Sequence, residues 1–290
     1  MPEILPGAQG FPQTEILSPL VHRVLGLNPS TFTGPGTNTY LLGVEQGEVT
    51  LIDTGSGVEA YLSLLQEHLA AHGNPPIKQI LLTHVHPDHI GGVRQLQKLY
   101  PGVPVYKFPW PEADENWPAC QPITDGARFQ GKGFTLRAIH SPGHAEDHIC
   151  FFLEQEQALF TGDVVLGVGT TVIPQKGGDL GDYLETLRRL LGENPRRLYP
   201  GHGPAIEDGP AKINEYLEHR LKRENQVLAE LKNGPMSVEA IVRSIYREYP
   251  EHLYAAAGQS ILSHLDKLER EARVTRNQAE PPEFTLTETP

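Results

Sequence analysis

Cysteine is nearly missing from this chain: Cys120 and Cys150 are the only two in 290 residues. Two thiols exclude a disulfide framework and any cysteine-rich zinc module, and a reducing, cytoplasm-like compartment is the expectation. No apolar run approaches the roughly 18 residues of a membrane-spanning helix, so no membrane partner is expected. The first residues, MPEILPGAQGFPQ, lack the basic start and apolar run of a secretory signal. Positive charge is also short, with 24 Lys and Arg against 36 Asp and Glu and a net charge of −12. That balance repels phosphate before contact and argues against broad polyanion binding.

What is present can build a core. Hydrophobic residues make up 38% and charged residues 21%, and the length suits one large domain or a main domain of about 200 residues with a small appendage. The acidity is uneven. Residues 212–276 carry 11 Lys and Arg against 10 Asp and Glu, whereas the rest carries 13 against 26. Up to about residue 208, short β-type runs alternate with amphipathic stretches. Strands are predicted over 39–44, 49–53, 79–83, 103–106, 134–139, 149–153, 158–161 and 197–199, and helices over 58–72, 93–99 and 183–191. From residue 209 the strand-like runs stop. One long helix is predicted over 210–232, a second over 238–249 after Ser237 as N-cap, and a third over 255–273, with a short ending at 274–276. Three helices and a short ending look like a winged helix over 209–280. The polar, Pro-rich 281–290 reads as a frayed, flexible tail.

The strongest chemical signal is T-H-V-H-P-D-H-I-G-G at 83–92, directly after the strand-like Ile80, Leu81 and Leu82. His84, His86, Asp88 and His89 therefore project from a strand end into a loop. Imidazole nitrogen and carboxylate oxygen are donors that zinc and similar divalent ions accept. Four donors within six residues crowd one ion and suit two neighbouring ones. His144 follows Ser141–Pro142–Gly143, Asp163 follows a strand and Gly162, and His202 stands in Pro200–Gly201–His202–Gly203–Pro204. Asp53 repeats the strand-then-glycine setting. Glycines there allow close backbone approach to a shared site. Isolated histidines such as His22, His68 and His140 read as packed or solvated residues.

These five motifs, in order over roughly residues 18–205, resemble the metallo-β-lactamase superfamily. The resemblance implies an αββα sandwich over 1–208 with a dinuclear site at one edge. It implies one ion held by His84, His86 and His144 and a second held by Asp88, His89 and His202. Asp163 would bridge the two, and Asp53 would support a ligand loop from behind. Zinc is the expected ion, with manganese or iron as alternatives. A hydroxide bridging two cations is a nucleophile at neutral pH, so the expected enzyme is a metal-dependent hydrolase, with Asp88 among its catalytic residues.

Within the superfamily, the usual patterns of the true zinc β-lactamases lack an aspartate corresponding to Asp163, and the flavodiiron branch replaces the second histidine of the HxH run, which here is His86. The stretches Gly36–Thr37–Asn38–Thr39–Tyr40 and 141–148, together with the helical tail, make the chain most similar to the lactamase β 2-like group. That resemblance implies a phosphodiesterase acting on single-stranded RNA. A glyoxalase II-like thioesterase, or another small-ester or lactone hydrolase, is the alternative; a nucleic-acid- or protein-binding module with structural metals is the third reading. His148 is a candidate proton donor to a leaving group, or else a hydrogen-bonding partner of a ligand loop. Asn38, Thr39 and Tyr40 are candidates for the substrate cleft, with Tyr40 equally suited to a core strand. Thr170, in Gly167–Val168–Gly169–Thr170–Thr171, is a candidate anion contact. Arg220, Lys222 and Arg223, and Arg270, Arg273 and Arg276 along the last helix, are the basic clusters that an RNA-binding tail would use, both diluted by nearly equal numbers of acids. Monomer and dimer are both compatible with the sequence.

Overall fold

The structure, a computed structural model, describes residues 10–287. The start of the N-terminal segment tested for a secretory signal (1–9) and the last three residues of the expected tail (288–290) lie outside the described residues. The first sheet has seven strands in sequence order: β1 (Thr14–Ile16), β2 (Val21–Leu25), β3 (Asn38–Leu42), β4 (Val49–Ile52), β5 (Ile77–Leu81), β6 (Val105–Lys107) and β7 (Gln121–Pro122). Pairing is antiparallel from β1 to β4 and parallel from β4 to β7. Four helices follow strands of this half: α1 (Glu59–Ala71), α2 (Pro87–Ile90), α3 (Val93–Leu99) and α4 (Pro111–Asp114). The second sheet runs β12-β11-β10-β9-β8, from β8 (Arg128–Gly131), β9 (Phe134–His140), β10 (Ile149–Leu153), β11 (Ala158–Gly162) and β12 (Arg197–Pro200), with α5 (Leu180–Gly192) before its last strand.

Alternation along the strands produces the layers. Val21, Tyr40, Leu42, Ile52 and Leu81 face Leu136, Phe151, Phe160 and Tyr199 across the two sheets. The opposite face of the first sheet, with Val24, Leu41 and Leu51, packs on Tyr61, Leu65 and Leu69 of α1 and on Val93 and Leu96 of α3. The opposite face of the second, with Ile139, Phe152 and Leu159, packs on Tyr183, Leu184 and Leu187 of α5. This is the expected αββα sandwich. All eight predicted strands are present, most with ends shifted by one or two residues. Among the described residues, no helix is long and apolar enough to cross a membrane.

The C-terminal unit begins with α6 (Gly209–Leu231), capped by the Asp208 carboxylate accepting from Ala211 N–H at 3.0 Å. β13 (Met236–Ser237), α7 (Val238–Ile245), α8 (Tyr254–Arg270), β14 (Val274–Arg276) and β15 (Glu283–Leu286) complete it, with a three-stranded sheet β13-β15-β14. This is a winged helix, with two corrections to the reading above. Strands do interrupt the helices. Residues 283–286, expected to fray, form the central strand, and Phe284 is fully buried against Val227, Ile241, Ile261 and Leu268. The boundary at 208/209 is also shared rather than clean. Ile213 and Tyr216 of α6 pack into the outer layer of the second sheet, while Val227 and Leu231 of the same helix belong to the C-terminal core.

Candidate metal centre

The carboxyl ends of β5, β9, β11 and β12 deliver the seven candidate donors to one edge of the sandwich, and that of β4 delivers Asp53. β5 ends at Leu81, and Thr83 starts the loop that becomes the one-turn helix α2, so Asp88 and His89 lie on a helical turn where a plain loop was expected. Two glycines keep that edge open. An ideal Cβ on Gly201 would stand 2.5 Å from Asp163 Oδ1, and one on Gly162, where φ is +46°, would stand 2.5 Å from His148 Nε2.

The donors fall into the two expected groups. His84 Nε2 and His144 Nε2 each lie 2.9 Å from His86 Nδ1. Asp88 Oδ2 lies 3.2 Å from His202 Nε2 and 3.5 Å from His89 Nε2. Asp163 stands between them: Oδ1 is 3.3 Å from both His89 and His202, and Oδ2 is 3.6 Å from His144. The sets His84/His86/His144 and Asp88/His89/His202 each place one donor atom per residue within 4.8 Å of the others, and so does His84/His89/Asp163.

The residues behind the donors set which nitrogen faces inward. Asp53 accepts from Thr83 N–H and Thr83 Oγ1–H, both at 2.8 Å, and pairs with His89 Nδ1 at 2.7 Å. With its own proton spent on Asp53, Thr83 Oγ1 accepts from His84 Nδ1–H at 3.0 Å. His144 Nδ1–H donates to Val172 O at 2.7 Å, and His202 Nδ1 lies 3.3 Å from Gly36 O. Each bond places a proton on Nδ1 and turns Nε2 toward the shared centre, where its lone pair serves a cation once any Nε2 proton is displaced. Asp53 thus sits where it was expected, at φ +60°. Replacing it with Ala is expected to weaken divalent-metal binding by about 10- to 100-fold in competition with a chromophoric chelator. Unchanged affinity would reduce Asp53 to a turn residue.

Electrostatics agree with a cation site. Burial, then neighbouring imidazoles, holds His84 well below the ordinary histidine range and His86 at about 4. Burial also lowers His144. These three imidazoles are neutral at pH 7, the state in which a ring nitrogen can accept a cation. On the other side, burial by itself would lower His202, but Asp163 and Asp88 outweigh it and hold it at about 9. Burial would raise Asp163, yet His202 and His89 pull it well below the usual carboxylate value. The carboxylates demand positive charge, and protons satisfy it only in part: Asp163 Oδ1 and His89 Nε2 are buried without a hydrogen-bond partner. An orphaned oxygen and nitrogen aimed at the same spot fit two divalent ions of the zinc class.

Four further candidates are placed elsewhere. His148 is fully buried, stacked on His84 with ring centroids 4.8 Å apart, and its Nε2 accepts from Asp163 N–H at 3.1 Å. Burial holds it neutral, so it positions the Asp163 loop and donates no proton in the cleft. Asn38 Nδ2–H donates to Pro200 O and Gly203 O at 2.8 Å each, and Tyr40 O–H to Pro200 O at 2.6 Å. Thr39 Oγ1–H donates to Val24 O. All three are buried in β3 and belong to the frame: Asn38 and Tyr40 clamp the turn that carries His202. Thr170, by contrast, is exposed and lines the cleft.

That cleft, of about 900 Å³, opens over His86, Asp88, His144, Asp163 and His202 and is roofed by the winged helix. Its wall is pinned by Ser263 Oγ–H donating to Ile173 O at 3.0 Å, Leu166 N–H donating to Tyr216 Oη at 3.1 Å, and Arg220 donating to Thr171 O. Several lining residues escape the sequence reading, among them Phe32, Val172, Tyr246, Tyr249 and Leu253. They come from distant segments, and no local pattern marks them. Thr37, whose Oγ1–H donates to Asp88 Oδ2 at 3.3 Å, lies behind the cleft and stands inside the motif Gly36–Thr37–Asn38–Thr39–Tyr40, so it was the more findable.

Residues 32–202 match the metallo-beta-lactamase superfamily, and residues 237–280 match the beta-lactamase associated winged helix domain. An atrochrysone carboxyl ACP thioesterase from Aspergillus novofumigatus is 43% identical over 226 residues, which is 77% of this chain and 66% of that protein. A beta-lactamase-like protein 2 homolog from Caenorhabditis elegans is 39% identical over 259 residues, 88% of this chain and 85% of that one. The crystal structure of a metallo-beta-lactamase family protein from Thermus thermophilus superposes with a TM-score of 0.77 at 27% identity, covering 93% of this chain and 100% of the other. A match over more than half of the chain, joined to relatives this similar along most of its length, means that the chain belongs to the metallo-β-lactamase superfamily, as a hydrolase of the lactamase β 2-like group carrying the associated winged helix.

Proposed function

We propose that this hydrolase cleaves a thioester, or a comparably activated ester, whose acyl group lies on the wall between the sandwich and the winged helix. The superfamily uses divalent metal ions, and here His84, His86 and His144 would hold one and Asp88, His89 and His202 another, with Asp163 shared. Such a pair, when bound, supplies a water acidic enough to attack at neutral pH and offsets negative charge on the attacked centre.

The observation that carries the reading is the lining of the cleft. Leu166, Val172, Ile173, Pro174, Leu253 and Ala257 make much of the wall, a surface that buries an acyl chain and excludes water. Beyond the donors themselves, His219 is the one lining imidazole among the described residues, and no further carboxyl group joins it. Burial, then the neighbouring Arg220, Arg223 and Lys222, lowers His219 and keeps it neutral. His148 being buried, the leaving group must depart without a strong general acid. A thiolate, whose conjugate acid has a pKa of about 8.5, can do so; an alkoxide cannot. Asp88, held by Thr37 Oγ1–H and His202, orients the attacking water, and Arg223 offers a guanidinium for an anionic handle at the other end of the substrate. The identity to relatives named as acyl-carrier thioesterases supports the same choice.

Single-stranded RNA is the second reading, favoured by two aromatic side chains at the cleft, Phe32 (74% exposed) and Tyr249 (52% exposed), which suit base stacking. It ranks lower because Arg220 and Arg223 are the only Lys or Arg residues among the described lining, and Arg220 is already bonded to Thr171 O. A phosphate track needs more. The test offers metal-loaded protein a series of acyl thioesters of rising chain length, lactones, and short single-stranded RNA. kcat/KM is expected to rise with chain length by up to about fourfold per methylene until the wall is filled. RNA cleavage with inert thioesters would reverse the order.

A further inference from the structure

The geometry points to a second, structural metal site, remote from the cleft, in which His22, His68 and His72 bind one zinc-class divalent ion. Three imidazoles converge where β2 meets α1. His68 and His72 are four residues apart at the end of α1 and so share one helix face. His22 lies on the face of β2 that also carries Val24 toward α1. One nitrogen from each ring lies within 4.8 Å of the other two, and His22 Nδ1 stands 3.0 Å from His68 Nε2. Two nitrogens bound tetrahedrally to one zinc at about 2.05 Å would be about 3.3 Å apart, so the pair needs to open by only a few tenths of an ångström.

Packing alone does not account for the cluster. His22 is fully buried and His68 nearly so, in a layer otherwise built from Val24, Leu65 and Leu69. Buried imidazoles in such a layer need partners for their nitrogens. His22 Nε2 has none. Glu45 Oε1 lies 3.7 Å from it, beyond hydrogen-bond reach, and that oxygen already lies 2.9 Å from His72 Nδ1. Glu45, on the 3-10 turn Val44–Gln46, stands behind the rings as their acidic neighbour. Three imidazole nitrogens with a position left for water form a zinc-type set, and a cation is further favoured at the carboxyl end of α1.

Entry is available. A cavity of about 380 Å³ opens onto His68 and His72 between α1 and β1. None of the three histidines lines the cleft over the metal centre. An ion here would tie β2 to the end of α1, fastening an outer strand of the first sheet to its helical layer.

The test counts zinc per chain in the full-length protein after equilibration with micromolar zinc and gel filtration, for wild type, His72→Gln and His68→Gln. Reading the difference between proteins keeps the result independent of how many ions the catalytic centre holds. Wild type is expected to hold one more zinc than either variant, with hydrolysis by His72→Gln within twofold of wild type. A cobalt(II) difference spectrum of wild type minus His72→Gln should show the visible bands of a nitrogen-rich four- or five-coordinate site. His72 is half-buried at a helix end, so its replacement leaves a folded chain even if His68→Gln does not. Equal zinc in wild type and His72→Gln overturns the proposal, and so does an extra ion that appears only at millimolar zinc.

Discussion

Asp163→Asn is expected to lower kcat/KM by on the order of a thousandfold and to reduce the zinc retained by the catalytic centre. The substitution keeps the shape and removes the charge. At present one carboxylate oxygen of Asp163 stands 3.3 Å from both His89 and His202, and the other 3.6 Å from His144. Asp163 is the carboxylate that contacts imidazoles of both donor groups within 3.6 Å. An amide would aim N–H groups at some of those imidazoles and would offer cations only a neutral oxygen. The measurement pairs steady-state hydrolysis of the best thioester with elemental analysis of the same sample, taken alongside Asp88→Ala. A variant with full metal content and full activity would mean that Asp163 merely spaces the histidines.

Phe284→Ala is expected to destabilise the winged helix by about 3–5 kcal/mol, the usual range for deleting a fully buried ring. Phe284 pairs with Met236 on one side and Arg276 on the other, lies 4.9 Å beneath the Arg276 guanidinium, and fills the centre of the C-terminal core. A frayed tail would show no effect. Because Tyr246, Leu253 and Ala257 of the same unit line the cleft, loosening it should raise KM for long acyl substrates more than it lowers kcat for short ones. Urea unfolding and a chain-length series on the variant check both halves.

The metal donors can be read from the chain because their clustering is local. Four of the seven fall within six residues, and the others each sit beside a glycine at a strand end. The helical tail is equally legible, since amphipathic periodicity survives without tertiary context. What misleads is burial. Val21–Leu25 reads V-H-R-V-L and does not announce a strand, yet all five residues are buried: His22 meets His68, and Arg23 donates to Pro12 O and pairs with Glu15. Asn38, Thr39 and Tyr40 look like cleft residues because polar side chains follow a Gly-rich loop. The hydrogen bonds of Asn38 and Tyr40 instead hold the turn bearing His202, at least 160 residues away in sequence. His148 looks catalytic for its spacing from His144 and is sealed behind the donors.

Residue order alone was enough to single out the clustered His and Asp residues, the αββα class and the helical appendage, because each depends on neighbours within a few positions or on simple periodicity. Folding in three dimensions settled which polar residues serve the cleft and which serve the frame. It also turned the supposed tail into the central strand of the winged helix, and it brought His22 beside His68 and His72. Those outcomes depend on long-range contacts, where a partner far along the chain determines whether a polar atom meets water, a carbonyl or another ring.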